Sequence, residues 1–554
     1  MSYCFNCGAK IEENIRFCFQ CGAKLKDETA DDENLKFWAK PSDEKEGIIM
    51  TNLDVLSQKF GVEENIIVEL LHVYVQLLED LSIIHYSLLD IDGSGTWEDH
   101  VDFLKNHYDS LSVKPKYLFI VGGHDVIPMP EFANVAYYTG DSSDQTVDTD
   151  LPYAYLLDVR RNTNIYEKYE KSIYNLKIFR KNPRLYVGRL PFAKEATFDD
   201  LKNYLFQAGT FISDEMSITR GFGITNECWK KSSVETSEGI YRHGSFTRAN
   251  DQKPTHYGYN ELYVSPELKI EDINAIFDRD AGMYFFNLHG SSEPGNPNFV
   301  SDIERRTYPD AFTPGLIAAV NRQNIFVTEA CYGAKYKSYD KRHSMLLSAI
   351  NNKTILYLGS SRIAWGMDVG ISQADVLCKT FLNELLLEGK SAGRTLTCAR
   401  IAVLLSAEKN PVSIVTAIEF NLFGDPSLCL PQGTKAQGKN VSDGNEIYKS
   451  SSSEDSEDDT FTVDVLYTSD NSILNRVRNR VNENLQKIRT SINEHLYQYY
   501  NVEPRSLSRI LSVKYGSGDE FFYFVYNLST PDHQHYMLAY ADDKGQIKSI
   551  LTSK

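Results

Sequence analysis

Two short motifs in the middle of the chain have residue types that could do covalent chemistry together. Tyr284-Phe285-Phe286-Asn287-Leu288 ends in His289-Gly290, and Ile325-Phe326-Val327-Thr328 runs into Glu329-Ala330-Cys331-Tyr332-Gly333. Each is a strand-like apolar run that stops at a reactive side chain. A thiol with an imidazole close by is the minimum for nucleophilic acyl transfer, the histidine acting as acid and base while the thiolate attacks a carbonyl carbon. Gly290 would let its backbone N–H approach the oxygen of that carbonyl, and the amide of Cys331 offers a second donor. Taken singly, a cysteine at a strand end is more often a small buried hydrophobe, and a His-Gly pair is more often a turn. The pairing is what gives the motifs weight.

A second constellation sits at the start of the chain. Cys4-Phe5-Asn6-Cys7-Gly8 and Cys18-Phe19-Gln20-Cys21-Gly22 place two thiols on each of two tight turns. Four soft ligands at this spacing imply one tetrahedral, structural zinc held by Cys4, Cys7, Cys18 and Cys21, a closed site with no open position for catalysis. About 25 residues cannot build a core alone, so this module should fold only with its metal. It resembles zinc-ribbon modules. The other five cysteines, Cys228, Cys331, Cys378, Cys398 and Cys429, are scattered singly, which suits free thiols rather than a disulfide framework. Cys378 and Cys398 lie in helical patterns and read as core.

The elements that must position the dyad follow from periodicity. Residues 82–90, 117–122, 185–187, 221–225, 284–288, 325–328 and 355–359 read as strands, several apolar on both faces, as in a parallel sheet covered by helices. Helical patterns fall at residues 97–106, 196–211, 271–278, 344–350 and 374–387. The alternation is that of a doubly wound α/β domain, in which ligands bind beyond the carboxyl ends of the strands. Neighbouring strands ending in His289 and Cys331 would place the two side chains over one edge.

With 554 residues the chain exceeds a single core. Residues 1–25 read as the zinc ribbon, 26–47 as a charged linker, 48–430 as the main α/β domain, and 431–459 as an acidic, serine-rich linker. Residues 460–554 read as a small α+β domain, one long helix on an antiparallel sheet. Lys435, Lys439 and Lys449 in the second linker are candidate self-processing positions. The formal net charge of −18 argues against nucleic acid as partner, and no run is apolar enough for a membrane span. Met1-Ser2-Tyr3-Cys4 shows no basic or apolar leader, so a cytoplasmic location is expected.

Seven stretches occur in the order found in the gingipain-type cysteine peptidases, relatives of the caspases. They are residues 118–128, Thr149-Asp150-Leu151-Pro152-Tyr153-Ala154, 187–191, Leu288-His289-Gly290, Glu329-Ala330-Cys331, 359–365 and 421–427. From residue 117 to 430 the chain resembles that family. The resemblance implies a caspase-like, mostly parallel sheet flanked by helices, with His289 and Cys331 as the catalytic pair and Gly290 with Cys331 as the oxyanion hole. It also implies that Asp150 floors the primary specificity pocket and Trp365 walls it, selecting arginine or lysine before the scissile bond. Asp148 could take the place of Asp150, and Asp150 could equally cap a turn before Pro152. The expected activity is a Lys/Arg-directed cysteine endopeptidase, regulated by its flanking modules or a protein partner. A catalytically silent peptide-binding scaffold of the same fold, or a zinc-ribbon adaptor with the peptidase domain as effector, are the competing readings.

Overall fold

The computed structural model describes residues 46–91, 95–134, 136, 145–157, 182–211, 221–237, 262–265, 270–291, 297–304, 307–337, 339–368, 370–406, 410–430, 461–469, 482–515, 518–530 and 533–554, with the short strands Ser2–Tyr3 and Lys10–Ile11. The zinc-ribbon thiols, residues 26–45 of the first linker, the whole second linker and the lysines at 435, 439 and 449 lie outside the described residues, while Glu46 and Gly47, read from sequence as linker, begin the strand Glu46–Thr51. Ser2–Tyr3 and Lys10–Ile11 pair antiparallel and flank the first CxxC motif in sequence.

The main domain is built on a ten-stranded sheet. In spatial order its strands are Leu262–Ser265, Gly221–Asn226, Met283–Asn287, Asn324–Thr328, Thr354–Ser360, Phe420–Phe423, Tyr186–Leu190, Tyr117–Val121, Glu46–Thr51 and His85–Asp90. All neighbours are parallel except Thr354–Ser360 and Phe420–Phe423, which run antiparallel. Two parallel blocks therefore meet at one antiparallel seam. The central strands Tyr117–Val121, Met283–Asn287, Asn324–Thr328 and Thr354–Ser360 are buried at every residue, as a sheet covered on both faces requires. Helices lie against it, among them Trp97–Ser110, which starts with a Thr96/Asp99 capping box.

The carboxyl-terminal part is a helix on an antiparallel sheet. Strands Phe461–Thr468, Leu507–Tyr515, Glu520–Asn527, Tyr536–Asp542 and Ile547–Ser553 pair in chain order. Helix Glu483–Tyr500 buries Leu485, Ile488, Ile492 and Leu496 against one face, together with Ile510, Phe524 and Met537. Strand alternation turns Leu511, Val513, Tyr523, Val525, Leu538 and Leu551 the other way, into the same core as the peptidase-side strands. The sheet gains its sixth strand from the main domain, because Trp365–Gly366 pairs antiparallel with Ile547–Ser553. Where the sequence suggested a small appendage, a shared core and a shared sheet dock this unit against the main domain. Among the described residues no helix is long and apolar enough to cross a membrane.

Candidate active site

Met283–Asn287 and Asn324–Thr328 are parallel sheet neighbours with Phe286 opposite Thr328. Three residues further on each chain come His289 and Cys331, so the register that packs the phenylalanines also brings these two to one sheet edge. His289 is fixed by a two-way backbone pairing with Val300: its N–H donates at 3.1 Å and its C=O accepts at 2.9 Å. Beyond Cys331 the chain turns sharply, and Tyr332 takes a left-handed conformation (φ 54°) held by its N–H to the C=O of Arg362 at 2.7 Å. Such a conformation costs a non-glycine residue ~1–2 kcal/mol and persists because the surroundings impose it. The Cys331 thiol lies 3.5 Å from the Ala364 carbonyl oxygen, to which it donates.

One occupant lies against these residues, and it is Lys554 of the same chain. Strand Ile547–Ser553 lays Ser553 opposite Trp365 and Thr552 opposite Gly366, and the Lys554 N–H donates to the Ala364 carbonyl at 2.9 Å. The Lys554 carbonyl oxygen accepts from the Cys331 N–H at 2.6 Å and from the Gly290 N–H at 3.4 Å. These are the two amides singled out from sequence. A side chain at Gly290 would collide with the Cys331 backbone, which explains the glycine there.

The Lys554 side chain runs inward past Gly366, where a Cβ would strike its last carbons. Its fully buried ammonium pairs with both Glu329 and Asp375, and lies 5.2 Å from the centre of the Trp229 ring. Burial works to lower the Lys554 pKa, but Asp375 and Glu329 outweigh it and hold the ammonium charged. Burial pushes Glu329 up to about 8, with Lys554 pulling it down and Asp375 pushing it further up. Asp375 sits in the first turn of helix Ala374–Leu386, where the helix dipole favours a negative charge, and accepts from the N–H groups of Ser372 (3.1 Å) and Met367 (3.4 Å).

The remaining sequence-singled residues fall elsewhere. Asp150 is buried and binds the wholly buried Arg189 in a fork, at 2.7 Å from Nη2 and 3.0 Å from Nε. Arg189 also donates to the carbonyls of Gly122, Gly123 and Ile127, so three of the seven ordered motifs meet in one structural ion pair. Asp148 is likewise engaged by Arg362 at 2.8 Å and by Lys337. Neither acid is among the partners of the Lys554 ammonium. Trp365 is buried and contributes its backbone to the strand pairing with Ser553.

Sequence reading assigned no role to Trp229, Asp302, Glu329 or Asp375. Glu329 carried a usable signal, since an acid between a buried strand and a reactive cysteine demands a partner. Asp302, whose carboxylate is 3.5 Å from His289 Nε2, carried none. His533 and His535, from the carboxyl-terminal unit, pack with Trp229 and Tyr308 around the His289 ring, with centroids 4.4–5.4 Å apart among His289 neighbours and the Tyr308–His533 pair. His289, Asp302 and His535 bring ligand atoms within 4.8 Å of one another and could hold a divalent cation, at the expense of the imidazole's acid/base role.

A family model described as peptidase family C25 matches residues 86–431, more than half of the chain, and a zinc-ribbon domain model matches residues 3–25. Among solved structures, the Arg-specific cysteine proteinase gingipain R is 11% identical, covering 93% of this chain and 98% of its own, with a TM-score of 0.46. The complex of Porphyromonas gingivalis RgpB pro- and mature domains is 11% identical over 91% of this chain and 99% of its own, with a TM-score of 0.46. A Saccharomyces cerevisiae separase–securin complex is 13% identical over 47% of this chain and 14% of its own, with a TM-score of 0.28. No curated protein matched the chain. The cytoplasmic location expected from sequence is corrected by this kinship, because gingipain-family proteases are secreted or cell-surface enzymes. That expectation rested on the lack of a basic or apolar leader in Met1-Ser2-Tyr3-Cys4, a local pattern that the family assignment outweighs. The family model, not the distant structural likenesses, carries the assignment: the chain belongs to peptidase family C25 and is a cysteine peptidase of the gingipain and caspase clan.

Proposed function

We propose that the protein is a lysine-directed endopeptidase in which Cys331 is the nucleophile and His289 its acid/base partner. The observation that carries this reading is the seating of Lys554, carbonyl oxygen on the amides of Gly290 and Cys331, ammonium between Glu329 and Asp375. In a substrate so seated, the Cys331 thiol gives its proton to His289 as the sulfur attacks the carbonyl carbon, and the oxygen gathers negative charge against the two N–H groups. His289 passes a proton to the leaving amine, and then takes one from the water that releases the acyl group from sulfur. Asp302 steadies the imidazole. A shallow cleft lined by Ser291, Phe299, Tyr332 and Tyr339 adjoins Cys331 and gives the leaving segment a path.

Glu329, Asp375 and Trp229, rather than Asp150, form the primary pocket in this reading. The pocket closes wholly around the compact Lys554 ammonium between two carboxylates and the Trp229 ring, and that enclosure is the basis for lysine over the broader, planar guanidinium. The amino-terminal module holds zinc through Cys4, Cys7, Cys18 and Cys21 as a structural metal, and residues 48–430 and 460–554 act as the catalytic and the regulatory units. The test is cleavage of fluorogenic peptides that differ only in the residue before the bond. Lysine peptides should be cut best, and Cys331→Ala and His289→Ala should each lose activity by at least about a thousandfold. Full activity in Cys331→Ala would overturn the assignment.

A further inference from the structure

We propose that the carboxyl-terminal strand with Lys554 is a ligand of this chain's own cleft, taken up as a lysine-bearing extended segment, and that it keeps the peptidase latent until displaced. The inference rests on the pocket reading above and extends it to substrate class and regulation.

Its first support is completeness. Thr552, Ser553 and Lys554 make the contacts an extended substrate would make: backbone pairing to Ala364, Trp365 and Gly366, carbonyl oxygen on two convergent amides, and a buried side-chain charge. Of the two small hydroxylated residues before the lysine, Thr552 is engaged by the cleft, while Ser553 is held from within the carboxyl-terminal unit. Thr552 Oγ1 donates to Asp368 at 3.1 Å and accepts from the Trp229 indole N–H at 3.3 Å, while Ser553 Oγ accepts from the Tyr536 N–H at 2.9 Å. The recognised ligand is therefore an extended threonine-x-lysine segment added as a strand to the Trp365–Gly366 edge.

The second support is exclusion. With this strand in place, His289 and Lys554 are both wholly buried and Cys331 is 4% exposed, so no second peptide can reach the sulfur. The same unit that supplies the strand also supplies His533 and His535 over the His289 ring. Opening the cleft thus requires the strand to leave.

A tethered ligand acts at an effective concentration of about millimolar, so a segment that binds in trans at about 10 μM would leave roughly one site in a hundred open. Such an occupant competes with substrate, raising apparent KM and leaving kcat alone. In the full chain, Lys554→Ala should raise kcat/KM for a lysine peptide about a hundredfold, nearly all of it through KM. Added acetyl-Ile-Leu-Thr-Ser-Lys should restore competitive inhibition, and the same peptide ending in alanine should not. A fluorescein-labelled Ile-Leu-Thr-Ser-Lys peptide supplies a readout free of catalysis. By anisotropy it should bind the double variant Cys331→Ala, Lys554→Ala and not Cys331→Ala alone, whose own strand fills the site. Equal binding to both, or binding to neither, overturns the proposal, as does an unchanged KM in active Lys554→Ala. Selective binding together with no cleavage by Lys554→Ala supports the ligand assignment and overturns the catalytic reading instead.

Discussion

Removing one of the two pocket acids separates their roles, and the outcome depends on pH in a direction the structure sets. The Lys554 ammonium pairs with Glu329 and Asp375 together, and burial has pushed Glu329 up to about 8. At neutral pH Glu329 is therefore mostly a neutral carboxyl, and Asp375 stands opposite the ammonium at a helix N-terminus. Glu329→Gln exchanges one neutral group for another, whereas Asp375→Asn removes a charge from a desolvated ion pair. Truncating such a pair on one side costs ~2–5 kcal/mol, and about 1.4 kcal/mol is a factor of ten. Asp375→Asn should thus cut the kcat/KM ratio of lysine over norleucine peptides by about thirtyfold to several thousandfold, while Glu329→Gln changes it less than about tenfold near pH 6.5. With a substrate ammonium seated as that of Lys554 is, Glu329 loses its proton as pH rises through about 8 and adds a second negative charge, so the lysine preference should climb toward pH 9 in the Lys554→Ala enzyme but not once Glu329→Gln is added. The same shift makes stability fall as pH rises from the ordinary 4.5 to about 8, because the folded state binds a proton there that the unfolded chain has released. The assay is steady-state cleavage of the paired peptides across this range, in a Lys554→Ala background so that the cleft is open. An Asp375→Asn variant that keeps the lysine ratio within about threefold would refute the reasoning, as would a Glu329→Gln variant that is the more damaged of the two near pH 6.5.

Two further outcomes follow from buried chemistry elsewhere. Asp150→Asn leaves Arg189 as a buried charge without its carboxylate, which costs ~3–5 kcal/mol, so the melting temperature should drop by several degrees while the lysine to norleucine ratio stays put; a changed ratio at unchanged stability would return Asp150 to the pocket. Chelation should release one zinc per chain and leave cleavage of a short lysine peptide intact, since a closed four-thiolate site offers no open position; metal-dependent cleavage, measured alongside metal content, would give the ribbon a direct part in the reaction.

Much of the site's frame was legible because local patterns report it. Continuous apolar runs announced the strands, and reactive residues at two of their ends announced His289, Gly290 and Cys331. What could not be read was which acids meet the buried Lys554 ammonium. Asp150 stands beside Pro152 in an ordered motif, yet its carboxylate belongs to Arg189, some forty residues later in the chain. The motifs at 118–128, 149–154 and 187–191 sit close in space and meet in that ion pair, a contact that their order in the sequence does not reveal.

The short strand Ile547–Ser553 shows the same limit from the other side. Its alternation of Ile547, Lys548, Ser549, Ile550, Leu551, Thr552 and Ser553 is weak, and its pairing with Trp365–Gly366 joins residues almost two hundred positions apart. Sequence by itself determined the α/β class, the carboxyl-terminal α+β unit and the reactive ends of two strands, because 3.6-residue and two-residue periodicities are properties of neighbouring residues. Only the tertiary structure decided that Glu329, Asp375 and Trp229 surround one ammonium and that the ammonium is the chain's own Lys554. A buried charge is stable only where distant segments bring it opposite partners, and that meeting is fixed by packing, not by spacing along the chain.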